Sequence, residues 1–531
     1  MATKRFILIC CAYIGPGHGQ QRLLVVEPSM KSPFAHRSRP MTAGLPCCRE
    51  GAKFTANAFA KLLLAINFGA AFNPSGAAMR APVGKYTGLR SPRTALAATA
   101  CAKPALGPVL DPLATAFRVQ FSDKLVVTDV ACGGRGVVAT ADIDHGSLLV
   151  SLPLSNCVTA HDTSNDVKLA SALLAAVQKP GWRSYAENVL PANTSAAFLW
   201  SDDELDELQF SVAQECVNAV REKWDYQWQF RCLDDDANMS VDRWQWAQSV
   251  VYSRSFELQG NEEHESLSVV APFIDLFNHL PESPREYESN CLVWEADGYE
   301  EPPFPCRIIR DSDGEARVAL FAYRDFKGGE EVLFPYGTES NADLLVMSGF
   351  IPSPNSADYH RLFADPFELM DACAEAFGLD DGQWRSRLDI LESLGAASAP
   401  LVVRPGELDA SGHLLGCVRL AAASDDELQN FREKYVAAVG HSTLVPPAAW
   451  SSCCESAALA FCADVAEEAL AECSTALEED EQQLDKISDQ GKHGGEQKER
   501  LRLALVYRIS VKRMLHDFAR RCSELEAVVK T

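Results

Sequence analysis

The stretch ValAlaProPheIleAspLeuPheAsnHis at residues 270–279 decides the fold, together with PheProTyrGlyThrGluSerAsn at residues 334–341. Each stretch joins an apolar, strand-like run to an abrupt polar cluster. The polar residues of the two clusters are Asp275, Asn278, His279, Tyr336 and Asn341. Because a buried polar group without a partner is costly, such clusters beside buried strands predict a functional site.

The apolar pattern divides the rest of the chain into three parts. Residues 117–153 and 268–335 alternate or carry short apolar runs between turn residues, as strands do. Between them, residues from about 165 to 265 space their apolar positions three and four apart, which predicts a helical insertion. After residue 362 the helical spacing continues and no strand pattern is found. The sequence therefore predicts an α+β protein with a β-rich domain, a helical insertion and an all-α C-terminal domain.

Charge is divided unevenly along the 531 residues. Residues 1–110 carry 14 basic and 2 acidic side chains, whereas residues 111–531 carry 35 basic and 71 acidic ones. A body this acidic does not attract nucleic acid, so we expect no nucleic-acid partner. The 18 cysteines include no CxxC pair, so we expect no metal site and reduced, buried thiols.

The first 105 residues have the composition of a targeting sequence. They are rich in Ala, Arg, Ser and Gly and nearly free of acids. Within them, residues 61–74 combine a basic flank, an apolar run and a small-residue end, which predicts cleavage between Ala71 and Phe72. The apolar run is too short to span a membrane. We expect a protein of the plastid stroma without a membrane partner; the alternatives are a plain disordered tail and a cytoplasmic protein.

Five segments, in order, resemble landmarks of SET-domain protein methyltransferases, in the subgroup that contains the Rubisco large-subunit and actin-histidine enzymes. The segments are GlyArgGlyValValAlaThr (134–140), TrpArgSerTyrAlaGluAsnValLeuPro (182–191), SerArgSerPhe (253–256), AspLeuPheAsnHis (275–279) and TyrGlyThrGluSerAsnAlaAspLeuLeu (336–345). The helical C-terminal part, with TyrArgIleSerValLysArgMetLeu at 507–515, is similar to the subgroup's substrate-binding domain. The resemblance implies a SET domain at residues 106–362 and a substrate-binding domain at residues 363–531.

The resemblance also implies which residues bind S-adenosyl-L-methionine, a cation with an amino-acid end. The implied cofactor-binding residues are Gly134, Gly136, Leu149, Arg254, Asn278 and His279. At the two glycines a Cβ would obstruct contact between main chain and cofactor, and an arginine offers a guanidinium fork to a carboxylate. Asp275 and Ser348 fall at substrate-binding positions. Tyr336 falls at the catalytic position, where its hydroxyl would orient the acceptor nitrogen.

Three positions depart from the pattern of the family. Ser147 and Glu339 stand where members often have a glutamate and a basic residue, respectively. Ser348 precedes GlyPhe, where lysine-directed members commonly have a tyrosine and the actin-histidine enzyme has a serine. The acceptor amino acid is therefore open between lysine and histidine.

The favoured function is an S-adenosylmethionine-dependent protein-lysine N-methyltransferase, expected to be a monomer. Its partner is expected to be a folded plastid protein such as Rubisco or a fructose-bisphosphate aldolase. A protein-histidine N-methyltransferase is the second hypothesis. The third is a catalytically silent module that only binds a protein, although the presence of Tyr336, Asn278 and His279 counts against it.

Overall fold

The fold is taken from a computed structural model, which describes the chain from residue 106 onward with several gaps. The described residues are 106–130, 134–161, 166–192, 194–231, 240–258, 267–280, 306–334, 336, 339–393, 401–406, 408, 412–433, 450–489 and 495–531. All of them fall within one unit that spans residues 63–531. The predicted presequence and its cleavage position lie outside the described residues.

The strands of the described residues form four small antiparallel sheets. They are β1 Gln120–Phe121, β2 Leu125–Asp129, β3 Arg135–Ala139, β4 Leu148–Pro153, β5 Val158–Ala160, β6 Ser255–Leu258, β7 Leu267–Val270, β8 Cys306–Arg310, β9 Ala316–Phe321, β10 His360–Arg361 and β11 Val402–Val403. The sheet orders are β1-β4-β9-β8, β2-β3, β5-β7-β6 and β10-β11. The first three sheets enclose one apolar core, which confirms the predicted β-rich domain.

Helices occupy the insertion and the C-terminal part, as predicted. They are α1 Leu110–Ala116, α2 Asp166–Ala176, α3 Pro180–Asn188, α4 Asp202–Asp206, α5 Ser211–Arg231, α6 Val241–Arg254, α7 Asn341–Ser348, α8 Pro366–Phe377, α9 Asp381–Ser393, α10 Gly412–Ala422, α11 Asp425–Phe431, α12 Ser452–Ala471, α13 Leu477–Asp489 and α14 Gly495–Val529. None of these described helices is both long and apolar enough to cross a membrane.

Two details differ from the sequence prediction. The insertion ends at Arg254, because Ser255–Leu258 forms strand β6 and pairs with β7 instead of continuing the helix. Val402–Val403 forms a two-residue strand in the C-terminal part, paired with His360–Arg361. Each strand exists through pairing with another segment, β7 for β6 and the more distant His360–Arg361 for Val402–Val403, so the apolar pattern of the strand alone does not reveal it.

Helix α7, which follows the second motif, has clear start and stop signals. The hydroxyl of Ser340 accepts a hydrogen bond from the N–H of Asp343 at 3.1 Å, and the Asp343 carboxylate accepts from the N–H of Ser340 at 3.3 Å. This reciprocal capping box fixes the first turn. The helix stops at Gly349, whose φ of +74° places it in the left-handed region that favours glycine.

A second apolar core joins the helical insertion to the C-terminal helices. Trp200 and Val217 from the insertion lie in the same cluster as Leu345 of α7 and Leu391 and Leu515 of the C-terminal part. This cluster therefore contains residues from both sides of the boundary predicted between 362 and 363. The boundary itself stays a prediction.

Candidate active site

The two motifs of the opening stretches lie side by side. His279 and Phe334 form an isolated parallel bridge. The N–H of Phe334 donates to the carbonyl of Asn278 at 2.8 Å, and the N–H of Leu280 donates to the carbonyl of Phe334 at 3.0 Å. These bonds bring the polar residues of the first motif next to Tyr336, two residues after Phe334.

Tyr336 is held at both ends by the first motif. Its main-chain N–H donates to Nδ1 of His279 at 3.1 Å, and its hydroxyl donates to the carbonyl of Phe277 at 2.8 Å. The rings of Tyr336 and His279 have centroids 5.2 Å apart. Burial raises the pKa of Tyr336 to about 12, because the phenolate would lose its hydration. The phenol is therefore protonated at every physiological pH.

His279 is half-buried and neutral. Its Nδ1 accepts the hydrogen bond from Tyr336, so in this geometry the ring proton resides on Nε2. Burial lowers the pKa of His279 to about 4. The hydrogen bond from Tyr336 to His279 can therefore form over the whole pH range in which proteins normally work.

Phe350 completes an aromatic cluster that the sequence reasoning did not assign to the site. Its ring centroid lies 5.8 Å from that of His279 and 6.2 Å from that of Tyr336. Gly349 makes this possible, because a Cβ there would lie 2.5 Å from the carbonyl carbon of Ser195. Ser348, predicted to bind substrate, is the half-buried last residue of α7 and immediately precedes this turn. The available signal was the SerGlyPhe sequence itself.

Asp275 and Arg254 form an ion pair under the first motif. Nη1 of Arg254 donates to the Asp275 carboxylate at 3.2 Å and to its carbonyl oxygen at 2.8 Å. The hydroxyl of Tyr185 donates to the other carboxylate oxygen at 2.5 Å and accepts from the N–H of Phe273 at 2.9 Å. Phe273 has a φ of +71°, an uncommon backbone state for a residue with a Cβ. The three side chains thus hold a strained turn that leads into Asn278 and His279.

The electrostatics of this pair follow from its burial. The Asp275 side chain has 0% exposure, and burial raises its pKa, although Arg254 opposes the shift. Both carboxylate oxygens are bonded to protein groups, so the geometry makes Asp275 a support of the turn, while its expected contact with substrate stays a prediction. Tyr185 was missed as a support because its partner lies 90 residues away.

Gly136 is a close-approach position. A Cβ at Gly136 would lie 2.5 Å from Oε1 of Glu331, 2.7 Å from Val130 and 2.9 Å from Nδ2 of Asn278. That same Asn278 amide donates to Glu331 at 2.7 Å and to the carbonyl of Arg135 at 3.0 Å. The glycine therefore lets strand β3 pack against the first motif. Glu331, not foreseen from the sequence, fixes the Asn278 side chain.

The remaining predicted residues differ in how available they are to a ligand. Gly134 has a φ of +82° and open space where a Cβ would point. Arg254 is 24% exposed, and its buried Nε has no hydrogen-bond partner among the described residues. Leu149 is 2% exposed, at a bulge of β4 where the pairing with β9 shifts. An exposed glycine turn and an arginine with a spare donor fit a ligand that carries a carboxylate.

No group of three or more His, Cys, Asp or Glu side chains among the described residues is arranged to hold a metal ion. The groups that the candidate site presents are a neutral histidine, a protonated phenol, an arginine and main-chain groups. Such a set can bind an anionic or zwitterionic ligand and orient a nucleophile.

Comparison with known protein families identifies the fold around these residues. Residues 134–337 match the SET domain family, and residues 379–515 match the Rubisco LSMT substrate-binding family. This chain contains a SET domain. The SET match begins at Gly134 and ends just after Tyr336, so it contains the first motif and the start of the second. The second match covers most of the helical C-terminal part of the SET-domain protein.

The SET-domain protein is also similar to curated methyltransferases. It is 22% identical to the actin-histidine N-methyltransferase of Danio rerio over 58% of this chain and 51% of that relative. It is 25% identical to the chloroplastic Rubisco large subunit N-methyltransferase of Nicotiana tabacum over 49% of this chain and 52% of the relative. It therefore spans about half the length of these two relatives. It is 25% identical to the chloroplastic fructose-bisphosphate aldolase-lysine N-methyltransferase of Arabidopsis thaliana, over 72% of this chain and 76% of that relative.

Solved structures give the same fold. The SET domain of LSMT bound to lysine and AdoHcy aligns with 80% of this chain and 93% of that chain, with a TM-score of 0.54 and 20% identity. Rubisco LSMT bound to AdoMet aligns over the same shares with a TM-score of 0.52. At this identity the likeness establishes the fold, an α+β SET domain followed by a helical domain.

Proposed function

We propose that this SET-domain protein transfers a methyl group from S-adenosyl-L-methionine to a lysine side chain of a folded protein. The observation that carries the proposal is the position of Tyr336. Its phenol donates to the carbonyl of Phe277, its main-chain N–H donates to His279, and its ring packs against Phe350. A relative named for lysine N-methylation of fructose-bisphosphate aldolase supports this reaction, and another is named for N-methylation of the Rubisco large subunit.

The cofactor would be held by residues of both motifs and the first glycine turn. Gly134 and Gly136 present main chain, Arg254 offers its partly exposed guanidinium group, and Asn278 and His279 form the rim next to Tyr336. Leu149 would contribute an apolar contact from the core beneath, as the resemblance implies. When bound, S-adenosyl-L-methionine supplies an electrophilic methyl group on a sulfonium centre.

Tyr336 would orient the acceptor rather than remove its proton. Its phenol is protonated, and its hydrogen is directed at the carbonyl of Phe277, so the oxygen has lone pairs left to accept from an amine. A free lysine has a pKa of about 10.4, so less than about 1% is neutral at pH 8. Contact with the rings of Phe350 and His279 would desolvate the ammonium group and favour the neutral, nucleophilic form.

A histidine acceptor is the second candidate, and Ser348 is the residue that favours it. Ser348 is small and ends α7 directly before Gly349 and Phe350, which leaves more room beside the aromatic cluster than a tyrosine would. The relative from Danio rerio is named for methylation of actin histidine. A third possibility, a silent binding module, requires that no methyl is transferred.

We infer a plastid location from two supports. The relatives from Nicotiana tabacum and Arabidopsis thaliana are named chloroplastic, and residues 1–105 have the composition of a targeting sequence. The protein substrate would dock on the helical C-terminal domain. Imaging of the full chain with a C-terminal fluorescent tag tests the location, and a cytosolic signal would contradict it.

One experiment distinguishes the three functions. The full chain is incubated with tritiated S-adenosyl-L-methionine and, separately, with a stromal protein extract or with actin, and the labelled residue is mapped by mass spectrometry. Label on lysine supports the proposal, and label on histidine supports the second candidate. Absence of both cofactor binding and methyl transfer overturns the two enzyme functions and leaves the silent module. Cofactor binding without transfer to any protein in either sample contradicts the lysine and histidine assignments made from these substrates.

A further inference from the structure

A hydrogen-bonded network follows Tyr336 in the chain and reaches the long C-terminal helix. Its centre is Asp358, a residue with 3% exposure. Oδ1 of Asp358 accepts from the main-chain N–H groups of Asn341 and Tyr359, both at 2.9 Å. Oδ2 accepts from the side-chain amide of Asn341 and from the hydroxyl of Ser510, both at 2.7 Å. Four donors thus meet one buried carboxylate.

The side-chain amide of Asn341 completes the network and determines which of its groups donate and which accept. Its Nδ2 also donates to Oγ of Ser510 at 3.0 Å, and its Oδ1 accepts from Nδ2 of Asn355 at 3.0 Å. The Asn355 amide donates in addition to the carbonyl of Glu339 at 3.1 Å. Rotating the Asn341 amide by 180° would set its Nδ2 donor against Nδ2 of Asn355 and its Oδ1 acceptor against the Asp358 carboxylate. The network therefore has one arrangement in which every group is satisfied.

The network joins parts of the chain that belong to different units of the fold. Asn341 is the first residue of helix α7, five positions after Tyr336, whereas Ser510 lies in the middle of the C-terminal helix Gly495–Val529. On its other side, Tyr336 is held by His279 and Phe277. The chain that carries the phenol is thus fixed before it by the first motif and after it by a contact with the C-terminal domain.

We propose that Asp358 is a positioning residue for Tyr336, and that through Ser510 the C-terminal helix helps to set the rate of methyl transfer. The proposal rests on the proposed function. Misplacement of a catalytic group by about 1 Å can cost on the order of 100-fold in rate, because transfer needs an aligned geometry. A network that fixes Glu339 and Asn341 therefore acts on turnover, whereas the residues of the cofactor site are left in place.

A merely structural role makes a different prediction, and Asp480 provides the comparison. Asp480 is also fully buried, and it accepts from Lys512 at 2.6 Å and pairs with Arg508 at 2.7 Å. Both partners lie on the same helix as Ser510, two residues to either side. Asp480→Asn therefore weakens the docking of this helix without removing a hydrogen bond of the Asn341 network.

The decisive test exchanges the two residues at the centre of the network, so that position 358 becomes asparagine and position 341 becomes aspartate. Asp358→Asn alone sets an amide donor against Nδ2 of Asn341, and Asn341→Asp alone sets two carboxylates against each other. In the combined variant, the amide at position 358 donates to the carboxylate at position 341, and Ser510 exchanges its donor and acceptor roles. Asn355 still donates to position 341. The combined variant thus restores every hydrogen bond of the network, with the direction reversed only among the side chains at positions 341, 358 and 510.

The experiment compares initial rates of the full-chain variants with tritiated S-adenosyl-L-methionine and a stromal extract or actin, whichever the wild type labels. We expect each single variant to lose about tenfold or more in rate while cofactor affinity changes by less than about twofold. The rate of the combined variant is expected to lie within about threefold of the wild-type rate. The Asp480→Asn variant, assayed below its own unfolding temperature, is expected to retain more than about half of the wild-type rate. Three outcomes would overturn the proposal. The single variants could fold and keep the wild-type rate, or the combined variant could fold and be as slow as the single variants. The third outcome is a loss of rate in Asp480→Asn equal to that in the single variants.

Two further measurements keep the test decisive. Ser510→Ala removes one donor and should fold even if the single variants at Asp358 and Asn341 do not; a rate loss of about threefold is expected, and no loss overturns the role of the C-terminal helix. Amide hydrogen exchange of residues 334–348 in the cofactor-free protein is expected to be faster in the single variants and restored in the combined one. If the wild type transfers no methyl, the proposed function fails, yet exchange that is unchanged in the single variants still overturns the network.

Discussion

The main-chain N–H of Tyr336 donates a hydrogen bond to Nδ1 of His279 across 3.1 Å. This bond joins the residue that would face the acceptor to a residue that would hold the methyl donor. It requires a neutral imidazole, and the pKa of His279, lowered to about 4 by burial, ensures one. Donor and acceptor sites are therefore coupled through a single direct contact.

Two substitutions at His279 distinguish the role of Nδ1, which accepts the hydrogen bond from Tyr336, from the role of the rest of the imidazole ring. His279→Ala removes both, so we expect the rate of methyl transfer to fall by about 100-fold or more. His279→Asn retains an oxygen near the position of Nδ1, which can accept from Tyr336, and is expected to keep about ten times the rate of the alanine variant. Initial rates and calorimetric cofactor affinities test this. Equal rates in the two variants would show that the hydrogen bond is unimportant.

Tyr336→Phe removes the hydroxyl and its bond to Phe277. We expect the rate to fall by about 10²–10³. The free energy of unfolding should fall by only about 1 kcal/mol, since one hydrogen bond is lost. Tyr507→Phe is the matched control: Tyr507 is also buried, and its hydroxyl has no hydrogen-bond partner among the described residues. A Tyr336→Phe rate above about a tenth of wild type contradicts the catalytic assignment.

The two glycines of the first turn should respond differently to alanine. Gly136→Ala places a Cβ against Glu331 and Asn278, so we expect a loss of about 1–3 kcal/mol in unfolding free energy and cofactor binding at least about tenfold weaker. Gly134→Ala meets open space and is strained only by its φ of +82°. It should lose roughly 1 kcal/mol of stability, measured by urea unfolding. A larger stability loss at Gly134 than at Gly136 would be inconsistent with this packing.

The dependence of rate on pH discriminates lysine from histidine as the acceptor. Below pH 10 the Tyr336 phenol stays protonated, because its pKa is about 12, so it adds no limb to the profile. For lysine, kcat/KM is expected to rise about tenfold per pH unit between about 7 and 9, following the neutral fraction. For histidine it should level off above about pH 7.5. A decrease between pH 8 and 9 in a folded enzyme fits neither acceptor.

The burial of His360 predicts that the folded protein loses stability in mild acid. It is buried beside Phe210, and burial lowers its pKa to about 4, whereas an unfolded histidine titrates near 6.5. Between these values the unfolded chain binds more protons, so this residue's contribution to stability falls as pH falls. His360→Gln should reduce the difference in unfolding free energy between pH 7 and 5 by roughly 2 kcal/mol. Urea unfolding at both pH values measures it, and identical differences in variant and wild type would refute it.

The sequence predicted the fold class and the centre of the site because their signals are local. Asn278, His279 and Tyr336 each follow an apolar run directly, so their polarity stands out within a few residues. Tyr185 and Glu331 are different. Their roles depend on contacts with Asp275 and Asn278, far away in the chain; the landmark at residues 182–191 contains Tyr185 but does not reveal its partner.

The same distinction explains the helix boundary and the role of the C-terminal segment. Ser255–Leu258 becomes a strand only because β7 is available to pair with it. The segment at residues 507–515 could be matched to a family from its sequence alone. Its contacts, Ser510 to Asp358 and Lys512 to Asp480, become visible only once the helices are packed.

The apolar core shared by the helical insertion and the C-terminal helices limits how this protein can be recombined. Trp200 and Val217 pack in the same cluster as Leu391 and Leu515. A chimaera that exchanges only the chain after residue 362 with that of a relative would face a mismatched half of this core. A stably folded chimaera is therefore expected only when residues 166–254 are exchanged together with the C-terminal helices, so the two segments are expected to evolve as one inherited block.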